Sequence, residues 1–148
     1  MIYKQRIFTL KKKFAFFLLN IGIPLVLGLG IYLFCYRTTY INTTFTEVFG
    51  FSMPYIYFDN ALHRFITSWA CDMLWAYALT FALYLCFKVF NKPLIITTVC
   101  SSLFAVAIEL LQINGTISGT FDILDIITEL VVIFLAIIII KSFETKNK

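Results

Sequence analysis

The chain has 148 residues, of which 61% are hydrophobic, 18% aromatic and only 14% charged. Soluble domains average about 45–50% apolar and about 25% charged residues, and a small fold leaves much of its surface in contact with solvent. The composition therefore excludes an ordinary soluble domain and indicates that lipid surrounds much of the chain. The net charge of +4 is not gathered into a basic stripe, so nucleic acid is not an expected partner.

Four apolar segments are long enough to cross a membrane, because a spanning helix needs about 20 mostly apolar residues. They cover residues 14–36, 67–90, 94–113 and 121–140. The first segment is longer than the apolar core of a signal peptide and no cleavage motif follows it, so we expect a retained span. Short turns at residues 88–93 and 114–120 make successive spans antiparallel neighbours. The sequence predicts one all-α domain, an integral membrane four-helix up-and-down bundle.

Basic residues are distributed unevenly around these spans. The N-terminal tail, the turn at residues 88–93 and the C-terminal tail hold ten of the twelve lysines and arginines. The positive-inside rule then predicts a cell-membrane protein with both termini in the cytoplasm. The long connection after the first span is outside, and its aromatic residues 54–58 suit the headgroup level. We expect a short interfacial helix there, over residues 55–65.

The four cysteines lie far apart within apolar segments, and no C-x-x-C spacing occurs. This pattern indicates neither a zinc site nor a redox dithiol nor a disulfide framework. We interpret the cysteines as small packing residues and predict neither a metal nor a cofactor.

Polar residues inside a membrane are candidates for a functional site, because a charge at the bilayer centre costs about 2.5–3.5 kcal/mol or more. The candidates are Asp59, His63, Arg64, Asp72, Glu109, Gln112, Asp122, Asp125 and Glu129. All map to the outer half of the predicted bundle, and Asp122, Asp125 and Glu129 share one helical face. We predict a polar pocket open to the outside, with Arg64 as the internal counter-charge within reach of a carboxylate on the third or fourth span.

Simpler interpretations remain open for several of these residues. Asp122 could cap the fourth helix, and Asp125 could be favoured by the helix macrodipole. Glu109 and Gln112 could form interhelical hydrogen bonds. Asp59, His63 and Arg64 could be ordinary loop residues. The Asp-x-x-Asp spacing could also offer hard oxygen ligands to a divalent metal, although no common catalytic motif accompanies it.

Two stretches resemble VanZ-like membrane proteins. Glu109-Leu-Leu-Gln112, followed by a short turn and Gly119-Thr-Phe-Asp122-Ile-Leu-Asp125, resembles the family's E-x-x-Q … D-x-x-x-N pattern. The segment Asp59-Asn-Ala-Leu-His63-Arg-Phe65 is similar to its D-K-x-x-H-F. Glu129 stands where the family usually has asparagine, the family arginine between the glutamine and the aspartate is absent, and no Gly-x-x-x-Gly ends the last helix. The likeness covers residues 59–129.

The resemblance implies a four-helix protein of the bacterial plasma membrane that is linked to teicoplanin-type glycopeptide resistance. The pocket would then bind a lipid or cell-wall precursor headgroup. Two other classes of function stay open, a metal-dependent enzyme on a lipid-linked phosphate and a structural or assembly subunit of a membrane complex. Whether the protein is an enzyme, and its oligomeric state, are not determined by the sequence.

Overall fold

Outside its connections, the described part of the chain is α-helical. The computed structural model describes residues 2–36, 39–50, 54–57, 60–116 and 121–146, with side chains from Lys12 onward. The helices are α1 (Ile2–Phe34), α2 (Tyr40–Phe49), α3 (Ala61–Phe87), α4 (Pro93–Ile113) and α5 (Ile123–Lys146). The helix α3 contains one π-helical turn, Ile66–Ala70, between two α-helical stretches.

Among the described residues, four helices are long and apolar enough to cross a membrane. They are Lys12–Phe34 within α1, and α3, α4 and α5 over their whole lengths. Large apolar side chains such as Val26, Leu103 and Phe134 remain exposed on the bundle surface. Exposed apolar area of this extent marks a surface that contacts lipid. The protein is a multi-pass membrane protein.

The four spans pack in alternating directions. The helix α3 contacts each of the other three spans, and α4 and α5 pack on each other. At one end, Glu144 near the end of α5 binds Lys13 near the start of the first span at 3.5 Å and Lys88 just after α3 at 2.7 Å. The predicted up-and-down bundle is therefore confirmed, with its first and last helices meeting at one end. We call this the paired end, defined by Lys13, Lys88 and Glu144.

Aromatic side chains fill the core next to the paired end. Phe17 and Phe81 are buried with ring centroids 5.9 Å apart, and Phe16 of α1 stacks on Phe143 of α5 at 3.7 Å. Farther along the bundle the core is formed by smaller residues, including Ala76 and Ala105. Lipid gives helices little hydrophobic reason to associate, so close packing of such side chains is what holds spans together.

The helix boundaries differ from the predicted spans mainly at α3 and α5. The helix α3 begins at Ala61 rather than at residue 67, because the Asn60 side chain accepts a hydrogen bond from the His63 N–H at 3.0 Å and caps the helix. It ends at Phe87 rather than at residue 90. The helix α5 continues to Lys146, six residues beyond the predicted end, and its last turns carry Glu144 to its two lysine partners.

The short helix between the first two spans is α2, so the predicted location at residues 55–65 is wrong. Thr39 caps the start of α2 by accepting from the Asn42 N–H at 3.1 Å. Gly50 ends it with a φ of 72°, a conformation that glycine adopts without steric cost. Residues 54–57 are not helical, and Ala61–Phe65 is the first turn of α3.

The side chain of Asn42 fixes α2 against the end of α1. Its Nδ2 donates to the main-chain carbonyls of Leu33 at 3.1 Å and Tyr36 at 3.3 Å. Carbonyls at a helix end have no partner within the helix. One asparagine thus satisfies a carbonyl in the last turn of α1 and another just beyond it, and it positions the following helix.

Candidate functional site

Carboxylates from α3, α4 and α5 converge on one region of the bundle. Glu129 lies within electrostatic range of Asp72, Glu109 and Asp125, and Asp72 lies within range of Glu109. These four residues are called the carboxylate cluster below. Asp122 stands at its edge, within electrostatic range of Asp125. The structure therefore brings five of the nine residues predicted for the pocket, from three helices, within electrostatic range of at least one other member.

The cluster lies far from the paired end. The Lys88–Glu144 ion pair shows that these two residues, at the ends of α3 and α5, lie at the same height along the bundle. Asp72 precedes Lys88 by 16 residues and Glu129 precedes Glu144 by 15 residues. At about 1.5 Å of rise per residue, both carboxylates are about 23 Å from the ion pair. Two charged regions therefore occupy different levels of the same bundle.

Exposure increases from the interior of the cluster to its edge. Glu109 and Glu129 are only 4% and 8% exposed, Asp125 is half-buried, and Asp72 is exposed. The cluster thus has buried carboxylates beneath a rim that opens to the surface of the bundle at Asp72.

Glu109 connects the third span to the start of the fourth. Its Oε2 accepts a hydrogen bond from the Asp122 N–H at 3.2 Å. The Asp122 side chain in turn accepts from the Leu124 N–H at 2.9 Å, which caps α5. The capping interpretation of Asp122 is therefore confirmed. Glu109 therefore forms the hydrogen bond between the third and fourth spans that the simpler interpretation proposed. It also remains within electrostatic range of the other members of the cluster.

Glu129 borders a small internal cavity. The cavity has a volume of about 10 Å³ and also contacts Ser101, Ala105 and Trp75. The Oε2 atom of Glu129 and the Oγ atom of Ser101 are both buried, and neither has a hydrogen-bond partner among the described residues. A space of this size holds one group about as large as a water molecule.

The sequence-based prediction did not include Ser101, although a signal for it exists. The buried face of α4 consists of Thr97, Ser101, Ala105 and Glu109, which recur every fourth residue. Residues four apart lie on one side of a helix, and small or hydroxyl side chains are typical of interhelical contacts in membranes. This spacing would have placed Ser101 on the same face as Glu109.

Basic residues are not where the pocket prediction placed them. Both ion pairs between described residues involve Glu144 at the paired end. Arg64 is exposed and forms no ion pair with a described carboxylate, so its predicted role as the counter-charge is wrong for this part of the chain. It lies in the first turns of α3, eight residues or about 12 Å before Asp72.

The remaining predicted site residues lie outside the cluster. His63 is buried in contact with Tyr55 and Tyr57, with ring centroids 6.4 and 4.9 Å away. Gln112 is half-buried one turn beyond Glu109, and its main-chain carbonyl accepts from the Gly115 N–H at 3.0 Å. Asp59 lies outside the described residues.

The π-helical turn of α3 lies between His63 and the cluster. Such a turn disrupts the regular main-chain bonding of a helix and often occurs at functional sites. Here the hydroxyl of Tyr36 donates to the main-chain carbonyl of Thr67, within the turn. Burial, and then the nearby Cys71 and Asp72, raise the pKa of Tyr36 to about 12. Tyr36 therefore remains a neutral donor at physiological pH.

The chemistry of the cluster favours a positively charged ligand. Several carboxylates close together repel one another, and they are stable when they share protons or meet a cation. Within the described ranges, no three His, Cys, Asp or Glu side chains are arranged to hold a metal ion. The geometry therefore offers no specific support for the metal-dependent enzyme.

The fold and the site define a multi-pass membrane protein with a carboxylate cluster between three of its spans. No protein-family model, curated protein or solved structure matches the chain.

Proposed function

We propose that the carboxylate cluster binds the positively charged amine of a lipid or cell-envelope headgroup. The observation that carries this proposal is the convergence of Asp72, Asp125 and Glu129 without an ion pair to any described basic residue. A charged amine would supply the missing positive charge and several N–H donors. The buried Oε2 of Glu129, which has no hydrogen-bond partner within the described ranges, is an acceptor available for such a donor.

The orientation of the bundle determines which leaflet the cluster would serve. The positive-inside rule assigns the paired end, rich in lysines, to the cytoplasm. The cluster then lies in the outer half of the membrane, where it meets outer-leaflet lipids and precursors of the cell wall. This location fits the proposal that the protein is a VanZ-like bacterial protein that contributes to resistance against teicoplanin-type glycopeptides.

Binding of a short-chain phosphatidylethanolamine to the detergent-purified protein tests the amine proposal. Native mass spectrometry should show that acetylation of its amine, which removes the charge, weakens binding by at least about tenfold, because a charge-assisted hydrogen bond contributes about 1.5–3 kcal/mol. Glu129→Gln should weaken binding of the unmodified lipid by a similar factor. Glu47→Gln, which removes the same charge from an exposed position of α2, is the matched control and should leave binding unchanged. Equal binding of unmodified phosphatidylethanolamine by the wild type and by Glu129→Gln would contradict the proposal.

Cysteine labelling tests the orientation. In a variant without the four native cysteines, a cysteine at Asn114 should react with an impermeant reagent added outside intact cells. A cysteine at Lys146 should react only after the cells are opened. Labelling of both positions from the same side would contradict the four-span topology.

Antibiotic susceptibility tests the proposed physiological role. Expression in a susceptible bacterium should reduce sensitivity to teicoplanin, and Glu129→Gln should abolish this effect at equal protein levels. The Glu47→Gln variant again serves as the control. If wild-type and Glu129→Gln proteins protect equally, the cluster does not act in resistance.

A further inference from the structure

A second cavity lies at the paired end, far from the carboxylate cluster. It has a volume of about 540 Å³ and lies between the end of α3, the start of α4 and the end of α5. Cavities of about 300–1,000 Å³ are typical of sites for small molecules and cofactors. The space is thus large enough for the headgroup and upper part of a phospholipid.

The cavity is lined by more positive than negative charge. Three lysines, Lys88, Lys92 and Lys141, line it together with one acidic residue, Glu144. Glu144 is already paired with Lys88 at 2.7 Å and with Lys13 at 3.5 Å. Lys92 and Lys141 form no ion pair with an acidic residue in the described ranges. Two ammonium groups are therefore available to a negatively charged ligand.

The rest of the lining is apolar or aromatic. Leu94 and Ile95 of α4 and Tyr84 of α3 form part of the wall. A site with lysines at a helix boundary and apolar residues beside them matches an amphipathic ligand, because its charged and hydrocarbon parts find complementary surfaces. A small soluble anion would leave the apolar part of the cavity without a partner.

We propose that this cavity binds an anionic phospholipid, with the phosphate between Lys92 and Lys141 and the upper acyl chains against Leu94 and Ile95. Basic pockets between membrane helices are known to hold acidic lipid headgroups. The bound lipid would fill the space between α3, α4 and α5 and reinforce the bundle at this end. The site is independent of the carboxylate cluster, and its ligand carries a negative rather than a positive charge.

Titration with dioctanoyl phosphatidylglycerol, followed by native mass spectrometry of the detergent-purified protein, tests this site. Wild-type protein should bind it at least about tenfold more tightly than dioctanoyl phosphatidylcholine. The double variant Lys92→Gln/Lys141→Gln should lose about twenty-five-fold in affinity for phosphatidylglycerol, because each lysine contributes about fivefold. The conservative variant Lys92→Arg/Lys141→Arg should retain binding.

The matched control is Lys12→Gln/Lys146→Gln, which removes the same charge at the same end but from residues that do not line the cavity. Its affinity should stay within about twofold of wild type. A loss equal to that of the cavity variant would show that net surface charge attracts the lipid, and the proposal would be overturned. Equal binding of the two lipids would overturn it as well. So would displacement of phosphatidylglycerol by an equal concentration of glycerol phosphate, which would indicate a site for small anions.

Discussion

The two charged regions of this bundle solve the problem of charge in a membrane differently. At the paired end, Glu144 has a lysine on either side, at 2.7 and 3.5 Å, near the ends of the helices. In the carboxylate cluster, about 23 Å away by helical rise, Glu129 faces Asp72, Glu109 and Asp125. The first arrangement balances its charges within the chain. The second leaves a negative excess among the described residues, which is the condition that a positively charged ligand would relieve.

This difference predicts that folding stability and ligand binding depend on different regions of the bundle. A balanced pair contributes to folding and offers little to a partner. An unbalanced cluster weakens the fold, and natural proteins retain such features mainly where function requires them. Substitutions at the two regions should therefore change stability in opposite directions.

Charge reversal at the paired end should have the largest effect. Glu144→Lys removes two ion pairs and places three ammonium groups together, so we expect the free energy of unfolding to fall by about 2 kcal/mol. Reversible unfolding in detergent or lipid would measure it. The swapped variant Lys88→Glu/Glu144→Lys should recover part of the loss. No recovery would mean that Glu144 stabilises the bundle through packing rather than charge.

Neutralisation in the carboxylate cluster should have the opposite sign. Glu129→Gln removes one of several mutually repelling buried charges, and we expect the protein to be more stable by about 1 kcal/mol at mildly alkaline pH. Glu144→Gln under the same conditions should make it less stable. If both variants are destabilised, the negative excess in the cluster is already balanced, and the contrast between the two regions is lost.

The contribution of the Tyr36 hydrogen bond to stability can be tested through its dependence on pH. Tyr36→Phe removes the hydrogen bond to the Thr67 carbonyl and should cost about 1 kcal/mol at neutral pH. The folded-state pKa of about 12 exceeds the ordinary value of 10.0. Wild-type stability should therefore be full below pH 10 and decrease toward about pH 12, as the unfolded chain loses its proton first. The difference between wild type and Tyr36→Phe should decrease over that range, and a constant difference would argue against a neutral donor.

Coupling within the cluster is the smallest expected effect. Glu109→Gln and Asp125→Asn should show an interaction energy of about 0.5 kcal/mol or more in a double-mutant cycle, because their charges act on each other. The control cycle combines Asp125→Asn with Glu144→Gln, which lie at opposite ends of the bundle, and should be additive. Equal coupling in both cycles would show that the carboxylates do not interact locally.

The spans and most of the cluster were predictable because their signals are local. Long apolar segments define membrane helices with little dependence on their neighbours. The three-and-four spacing of Asp122, Asp125 and Glu129 also placed them on one face before any tertiary contact was known. The addition of Asp72 and Glu109 required only that the spans alternate in direction. The approach of α3, α4 and α5 near the cluster followed from the same topology.

Features that depend on the choice of partner were not predictable in the same way. The ion pairs of Glu144 join residues 131 and 56 positions apart, and no periodicity reveals which lysine a glutamate will meet. Closeness in sequence to the second span favours Arg64 as the counter-charge. The Asn60 cap instead begins α3 earlier, and Arg64 is exposed. Thr39 as a cap and Gly50 as a terminating glycine indicate the bounds of α2. The aromatic residues near position 55 indicate a location at the lipid headgroups rather than a helix.

The contact between α1 and α5 has a consequence for biosynthesis. Phe16 stacks on Phe143 at 3.7 Å, and Lys13 meets Glu144 one residue later in the chain. Phe143 and Glu144 follow the end of α1 by more than 100 residues, so α1 leaves the ribosome well before these partners are translated. Until then, its aromatic surface faces lipid or the insertion machinery. Truncation before Phe143 should leave four spans inserted but α1 loosely attached, and such a chain would be a substrate for membrane quality-control proteases.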